Sequence, residues 1–201
     1  MVFADSEPTG GVPVSTPPAA VKILVAGGFG VGKTTLVGAV SEVTPLHTEE
    51  YLTVASEGVD DMGGVEEKST TTVAMDFGRI TVNPQLVVYL FGTPGQERFW
   101  FMWNDLVQGA LGAIVLTDTR RLETSFASID FFESRGIPFV IGVNCFHGHM
   151  DRSEQEIRGA LTLGPEVPLV MGDMRRKEAG RDLLLALVEH LMAVMSADYR
   201  R

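Results

Sequence analysis

Eight consecutive residues, Gly27-Gly28-Phe29-Gly30-Val31-Gly32-Lys33-Thr34, carry the pattern G-x-x-x-x-G-K-S/T. Glycines there let the backbone curl until successive N–H groups point inward, and a concave run of N–H donors binds an oxyanion. A helix that follows adds the partial positive charge of its N-terminus. Lys33 then reaches the β- and γ-phosphates of a nucleotide, and the Thr34 hydroxyl ligates Mg2+. The context fits, since an apolar run at 21–26 leads into the loop and the amphipathic start Thr35-Leu36-Val37 leads out of it. Together these residues describe a cradle for a nucleoside triphosphate and its metal.

A sheet has to hold such a loop. From residue 21 onward short apolar runs alternate with amphipathic stretches, the pattern of an α/β domain with a largely parallel sheet. Strands are predicted at 21–26, 72–79, 86–91, 111–117, 139–143 and 169–171, six in all, with the 72–79 strand antiparallel at the edge. Helices are predicted after Lys33 and over 99–106, 123–134, 153–161 and 179–195, on both faces of the sheet. The last carries Leu183, Leu184, Leu187, Val188 and Leu191 on one stripe. Ser153 followed by Glu156 reads as a capping box. Segment 41–69 has few apolar runs and carries Glu57, Asp60, Asp61, Glu66 and Glu67, so it reads as a long loop. Residues 1–20, rich in Pro, Gly, Ser and Thr, read as a flexible arm, leaving 21–201 as one domain.

The net charge of -10, with no basic block, argues against nucleic acid or an anionic membrane as the main partner. A single cysteine, Cys145, and a start without a positive or apolar region point to the cytoplasm. No apolar run approaches the roughly 20 residues of a membrane span. Neither a myristoylation glycine nor a prenylation box is present, so no direct anchor is expected, and any recruitment to a membrane is expected to fall to a partner.

Two further strings become readable beside the phosphate loop. Leu90-Phe91-Gly92-Thr93-Pro94-Gly95-Gln96-Glu97-Arg98-Phe99 resembles the Asp-Thr-Ala-Gly-Gln-Glu switch II of Ras, Rab and Arf proteins, and Thr72-Val73-Ala74-Met75-Asp76-Phe77 resembles their switch I threonine and its strand. In detail, through Gly-Thr-Pro-Gly-Gln-Glu-Arg-Phe-Trp, the chain looks like the small GTPases of actinobacterial conservon operons, relatives of the gliding-polarity GTPase MglA. The resemblance runs from about residue 21 to residue 195. It implies a Ras-like P-loop fold, binding of GTP and GDP with Mg2+, and partners that include a roadblock/LC7-type protein, a sensor histidine kinase and an activating protein. It also implies nucleotide contacts from Gly27 through Thr35, a γ-phosphate contact from the Gly95 N–H, Mg2+ ligation by Thr34 and Thr72, and Gln96 as the catalytic residue that orients the attacking water.

The sequence departs from that pattern in three places. Gly92 stands where Ras-type proteins carry a Mg2+-associated aspartate; Asp76 either supplies the missing carboxylate or is a surface residue of an edge strand. Phe29 replaces a glycine that leaves room for the catalytic glutamine, which predicts slow hydrolysis. Asn144-Cys145-Phe146-His147 replaces Asn-Lys-x-Asp. A neutral imidazole offers one acceptor where the aspartate pairs with two guanine N–H groups. Losing one such bond costs about 1–3 kcal/mol. GTP stays first choice and ATP stays open. Phe146 is a candidate to stack on the base, Asp151 or Asp173 to restore guanine contacts, and the Met174 N–H to read guanine O6.

In Phe99-Trp100-Phe101-Met102-Trp103, helical spacing assigns Phe99, Met102, Trp103 and Leu106 to the core. Trp100 and Phe101 are left for a partner patch or for burial beneath 41–69. Arg98, Arg120 and Arg121 are candidate internal arginine fingers or surface salt-bridge residues. The expectation is a slow GTP-hydrolysing switch in signalling; the alternatives are a nucleotide-holding scaffold that does not hydrolyse and an ATP-preferring P-loop protein.

Overall fold

The structure is a computed structural model that describes residues 17–44, 46–53, 70–146, 150 and 152–199. All six expected strands are present, joined by a seventh. In chain order they are β1 (Ala19–Ala26), β2 (Leu46–Thr53), β3 (Thr70–Asn83), β4 (Leu86–Gly92), β5 (Ala110–Thr117), β6 (Phe139–Asn144) and β7 (Leu169–Gly172). The spatial order is β2-β3-β4-β1-β5-β6-β7. β4, β1, β5, β6 and β7 run parallel, while β3 is antiparallel to both β4 and β2.

β2 corrects the reading of 41–69 as loop, and it displaces β3 from the edge that 72–79 was expected to occupy. Its sequence Leu-His-Thr-Glu-Glu-Tyr-Leu-Thr has no apolar run, because a terminal strand needs a ladder on one side only. The ladder runs from Leu46 opposite Phe77 to Thr53 opposite Thr70. The acidic residues Glu57, Asp60, Asp61, Glu66 and Glu67 lie outside the described residues, as does the arm up to residue 16. β1 begins at Ala19, two residues inside the predicted arm.

Helices α1 (Lys33–Val40) and α5 (Lys177–Asp198) cover one face of the sheet; α3 (Phe126–Glu133) and α4 (Glu154–Ala160) cover the other. The central strands are therefore buried on both sides and read as continuous apolar runs. Along β1, Ile23 and Val25 enter the core beneath α1 and α5 with Leu36, Val37, Leu183 and Leu187, whereas Leu24 and Ala26 enter the core with Ile129, Phe132 and Ile157. The Ser153 box forms: its hydroxyl accepts from the Glu156 N–H at 3.3 Å and its own N–H donates to Glu156 Oε2 at 2.7 Å. In α5, Leu183, Leu187 and Leu191 are buried as expected, but Val188 falls off the stripe and is 48% exposed.

The expected 99–106 helix starts as a tight 3-10 turn over Glu97–Met102 and becomes α2 (Trp103–Leu106). Phe99 and Trp103 are buried beneath it. Among the described residues no helix is long and apolar enough to cross a membrane.

Candidate nucleotide site

Because β1, β4, β5, β6 and β7 are parallel, the segments that leave them gather along one edge of the sheet. That edge is where open α/β sheets bind ligands. It brings together the loop 27–33, the turn at Gly92-Thr93, Asp118, Asn144 and the segment from Gly172 to Met174.

The loop has the curled backbone its glycines allow. Gly32, the cap residue of α1, sits at φ 106°, and a Cβ there would lie 2.6 Å from Asn144 Nδ2. Lys33 folds back over the loop, and its ammonium donates to the Gly27 and Gly28 carbonyls at 2.8 Å each. Burial lowers its pKa to about 8, although the Asp76 carboxylate pulls the other way. Leaving water costs this cation stability, and a polyphosphate beside it supplies the missing counter-charge.

The Thr34 hydroxyl donates to Asp76 Oδ2 at 2.7 Å. Asp76 is buried at 7% exposure, so it is no surface residue, and β3 is no edge strand. The β3–β4 register places Asp76 directly opposite Gly92, and a Cβ on Gly92 would come within 2.9 Å of Asp76 Oδ2. There is room between the two strands for one carboxylate, and here β3 provides it. Next to Gly92, the Thr93 hydroxyl is buried with no hydrogen-bond partner among the described residues. The Thr34 hydroxyl and the Asp76 carboxylate are hard-oxygen donors of the kind that suits Mg2+, which keeps several of its waters. The residues fit the ion that the phosphate loop implies.

Gly95, in the string that resembles switch II, lies against the loop. A Cβ there would meet Lys33 Nζ at 2.6 Å and the Phe29 N at 2.9 Å. Gln96 follows it in extended conformation at the start of the 3-10 turn. Thr72 is in the paired part of β3, opposite Tyr51. Four residues of strand rise separate it from Asp76 by about 13 Å, so in this arrangement the backbone does not bring Thr72 to Thr34. Phe29 is 65% exposed, turned out of the loop it was expected to crowd.

The base-side residues differ from expectation. Asn144 bridges two segments, Nδ2 donating to the Val31 carbonyl at 2.9 Å and Oδ1 accepting from the Met174 N–H at 3.1 Å. The Met174 N–H, expected to read guanine O6, is thus engaged by Asn144, and the Met174 side chain is core. The Asp173 carboxylate, offered for guanine, accepts from the Arg175 guanidinium instead, at 2.8 and 2.6 Å. Phe146 stacks under Arg120, whose guanidinium carbon is 4.4 Å from the ring centroid. His147, His149 and Asp151 lie outside the described residues, and among the described ones no group of three metal-binding side chains occurs.

Sequence reasoning missed the role of Asp118. It is 1% exposed and holds Arg120 through both carboxylate oxygens. Burial raises its pKa, but the hydrogen bonds from Arg120 and the charges of Arg120 and Arg121 outweigh that and hold it below the usual carboxylate range. Its place directly after an apolar strand, followed by two arginines, was the available signal.

The family model described as conserved hypothetical ATP binding protein matches residues 25–194. The chain belongs to this family. An uncharacterised protein of Methanocaldococcus jannaschii is 36% identical to this ATP-binding-family chain over 137 residues, 67% of this chain and 76% of that protein. Among solved structures, the cytosolic domain of the T. maritima FeoB iron transporter in a GDP form is similar at TM-score 0.61 and 19% identity, covering 88% of this chain. This family member spans 65% of that FeoB domain. The FeoB G-domain from Methanococcus jannaschii matches at TM-score 0.57 and 13% identity, over 86% of this chain and 98% of that one. At these identities the likeness is one of fold, and the fold is that of a P-loop G domain.

Proposed function

We propose that this family member is a Mg2+-dependent nucleotide switch that binds GTP, hydrolyses it slowly and reports the state of the γ-phosphate to protein partners. The observation that carries the reading is the Thr34 hydroxyl bound to a buried Asp76 opposite Gly92, a metal-ready pair beside a phosphate loop. Lys33 and the N–H groups of 27–35 hold the phosphates. Thr34 and Asp76, joined by Thr72 if β3 rearranges, hold the ion, whose charge when bound offsets that of the β- and γ-phosphates. Gln96 orients the attacking water. Gly95, now seated on the loop, shifts to admit the γ-phosphate and takes the segment carrying Trp100 and Phe101 with it.

On this reading Phe101, 63% exposed, and Trp100 beside it offer the docking surface. A roadblock/LC7-type protein, a sensor histidine kinase and an activating protein are the partners that the conservon-type resemblance suggests. The chain then works in the cytoplasm, with a partner as its route to a membrane.

A second reading, preference for ATP, is supported by the family description and by the engaged Met174 N–H and Asp173. Mass spectrometry of the co-purified nucleotide, with phosphate release from GTP and ATP by wild type and Gln96→Leu, tests both readings. Hydrolysis of GTP that Gln96→Leu abolishes supports the first. Release from ATP alone supports the second. Binding without turnover in either protein points to a scaffold, and failure to bind either triphosphate overturns the reading.

A further inference from the structure

Arg121 stands against the phosphate loop, close enough to Asp118 for its charge to act on that carboxylate. Its neighbour Arg120 is committed to Asp118 and stacked on Phe146. Arg121 instead sends one N–H to the Phe29 carbonyl at 3.1 Å, and a Cβ on Gly30 would lie 3.7 Å from the same nitrogen. Among the described residues it makes no ion pair, in a chain whose net charge is -10. Its backbone is fixed on both sides: its N–H donates to the Asp118 carbonyl at 2.9 Å, and its own carbonyl accepts from the Thr124 N–H at 3.2 Å and the Thr124 hydroxyl at 2.9 Å. Thr124 in turn packs on the loop, since a Cβ on Gly28 would meet its hydroxyl at 2.5 Å. A cation tethered at this point costs little further ordering when an anion arrives.

The geometry points to Arg121 as a built-in arginine finger, a catalytic residue whose guanidinium keeps one N–H on Phe29 and offers the others to the β- and γ-phosphates of the bound triphosphate. The inference rests on the nucleotide-switch reading above. In hydrolysis the water oxygen bonds to the γ-phosphorus as its bond to the β–γ bridging oxygen breaks. That electron pair stays on the diphosphate, and the water proton leaves on inorganic phosphate. Charge builds on the bridging oxygen and the γ-oxygens, and a fork of N–H donors beside Phe29 and Gly30 stabilises it.

Arg121→Gln separates the charge from the loop contact, because an amide still donates to the Phe29 carbonyl; Arg121→Lys and Arg121→Ala complete the series. The probes are GDP, GDP with aluminium fluoride, and the β,γ-imido analogue of GTP, with the adenine series in parallel, measured by titration calorimetry, and single-turnover hydrolysis beside them. For Arg121→Gln the preference for triphosphate over diphosphate should fall about tenfold, as for one charge-assisted hydrogen bond. Aluminium fluoride should no longer tighten diphosphate binding. Hydrolysis should drop by about 100-fold or more, toward the range known for supplied arginine fingers. Lysine should restore part of each response.

A glutamine variant equal to wild type in all three measurements would overturn the proposal. So would a series in which only the melting temperature falls. A wild-type chain that binds no triphosphate overturns the switch reading as well, so the two failures are distinct.

Discussion

Replacing Asp76 by alanine removes the acceptor of the Thr34 hydroxyl and the carboxylate of the proposed cation site. The lost bond, 2.7 Å long and made to a charged acceptor, is worth about 1.5–3 kcal/mol. Outer partners of metal ligands cost about 10- to 100-fold in metal affinity when removed, which at about 1.4 kcal/mol per decade is the same range. The Mg2+ concentration that half-maximally tightens GTP binding should therefore rise about 10- to 100-fold, while binding in EDTA changes far less. Calorimetric titration over a series of free Mg2+ concentrations reads both. A rescue sharpens the test. Gly92→Asp alone is not accommodated, since its Cβ falls 2.9 Å from Asp76 Oδ2, but Asp76→Gly with Gly92→Asp moves the carboxylate across the ladder and should regain most of the Mg2+ response. A folded Asp76→Ala protein with unchanged Mg2+ dependence would refute the reasoning.

Three other outcomes are expected. Lys33 is lowered from 10.5 to about 8 in the folded chain, so between these values the unfolded chain holds more protons and stability rises with pH. Phosphate binding favours the ammonium, so nucleotide affinity should be greatest below about pH 8 and fall above it with proton uptake, measurable from calorimetric heats in buffers of different ionisation enthalpy. Asn144→Ala leaves the Val31 carbonyl and the Met174 N–H unsatisfied in the interior. At about 1–3 kcal/mol each and about 2–4 °C per kcal/mol for a chain of this size, the melting temperature should fall by several degrees or more, read by scanning calorimetry. Gly95→Ala places a methyl 2.6 Å from Lys33 Nζ and 2.9 Å from the Phe29 N. It should lift switch II from the loop at a cost of about 1–3 kcal/mol, seen as faster amide exchange at 94–96 by mass spectrometry.

The phosphate loop was legible in sequence because its glycines and Lys33 are required by local backbone geometry, and the central strands because burial on both faces leaves continuous apolar runs. The Ser153 cap was legible for the same local reason. β2 was not, since an end strand whose centre is His, Thr and Glu carries no apolar run and its pairing with β3 bridges 16 intervening residues. The burial of Asp76 was hidden as well, because it depends on the β3–β4 register and on α1, which set the carboxylate against Gly92 and the Thr34 hydroxyl. On the base side the sequence assigned the Met174 N–H and the Asp173 carboxylate to a ligand, and it carried no sign that Asn144 and Arg175 engage those groups from within the chain. The position of Arg121 depends on how the segment after β5 turns back onto the loop. No spacing rule encodes that turn.

The aromatics at 100 and 103 have a practical consequence. Trp100 and Trp103 are the only two tryptophans of the chain, their rings 5.5 Å apart. The indole N–H of Trp103 donates to the Pro94 carbonyl at 3.3 Å, while its ring meets Phe131 edge-on at 5.1 Å. Pro94 adjoins Gly95, so if that glycine lifts to admit a third phosphate, as proposed, the indole bond would stretch or break. On the switch reading the chain carries an optical reporter at the part proposed to move, and its ultraviolet emission would time each opening and closing in a stopped-flow mixer without any attached dye.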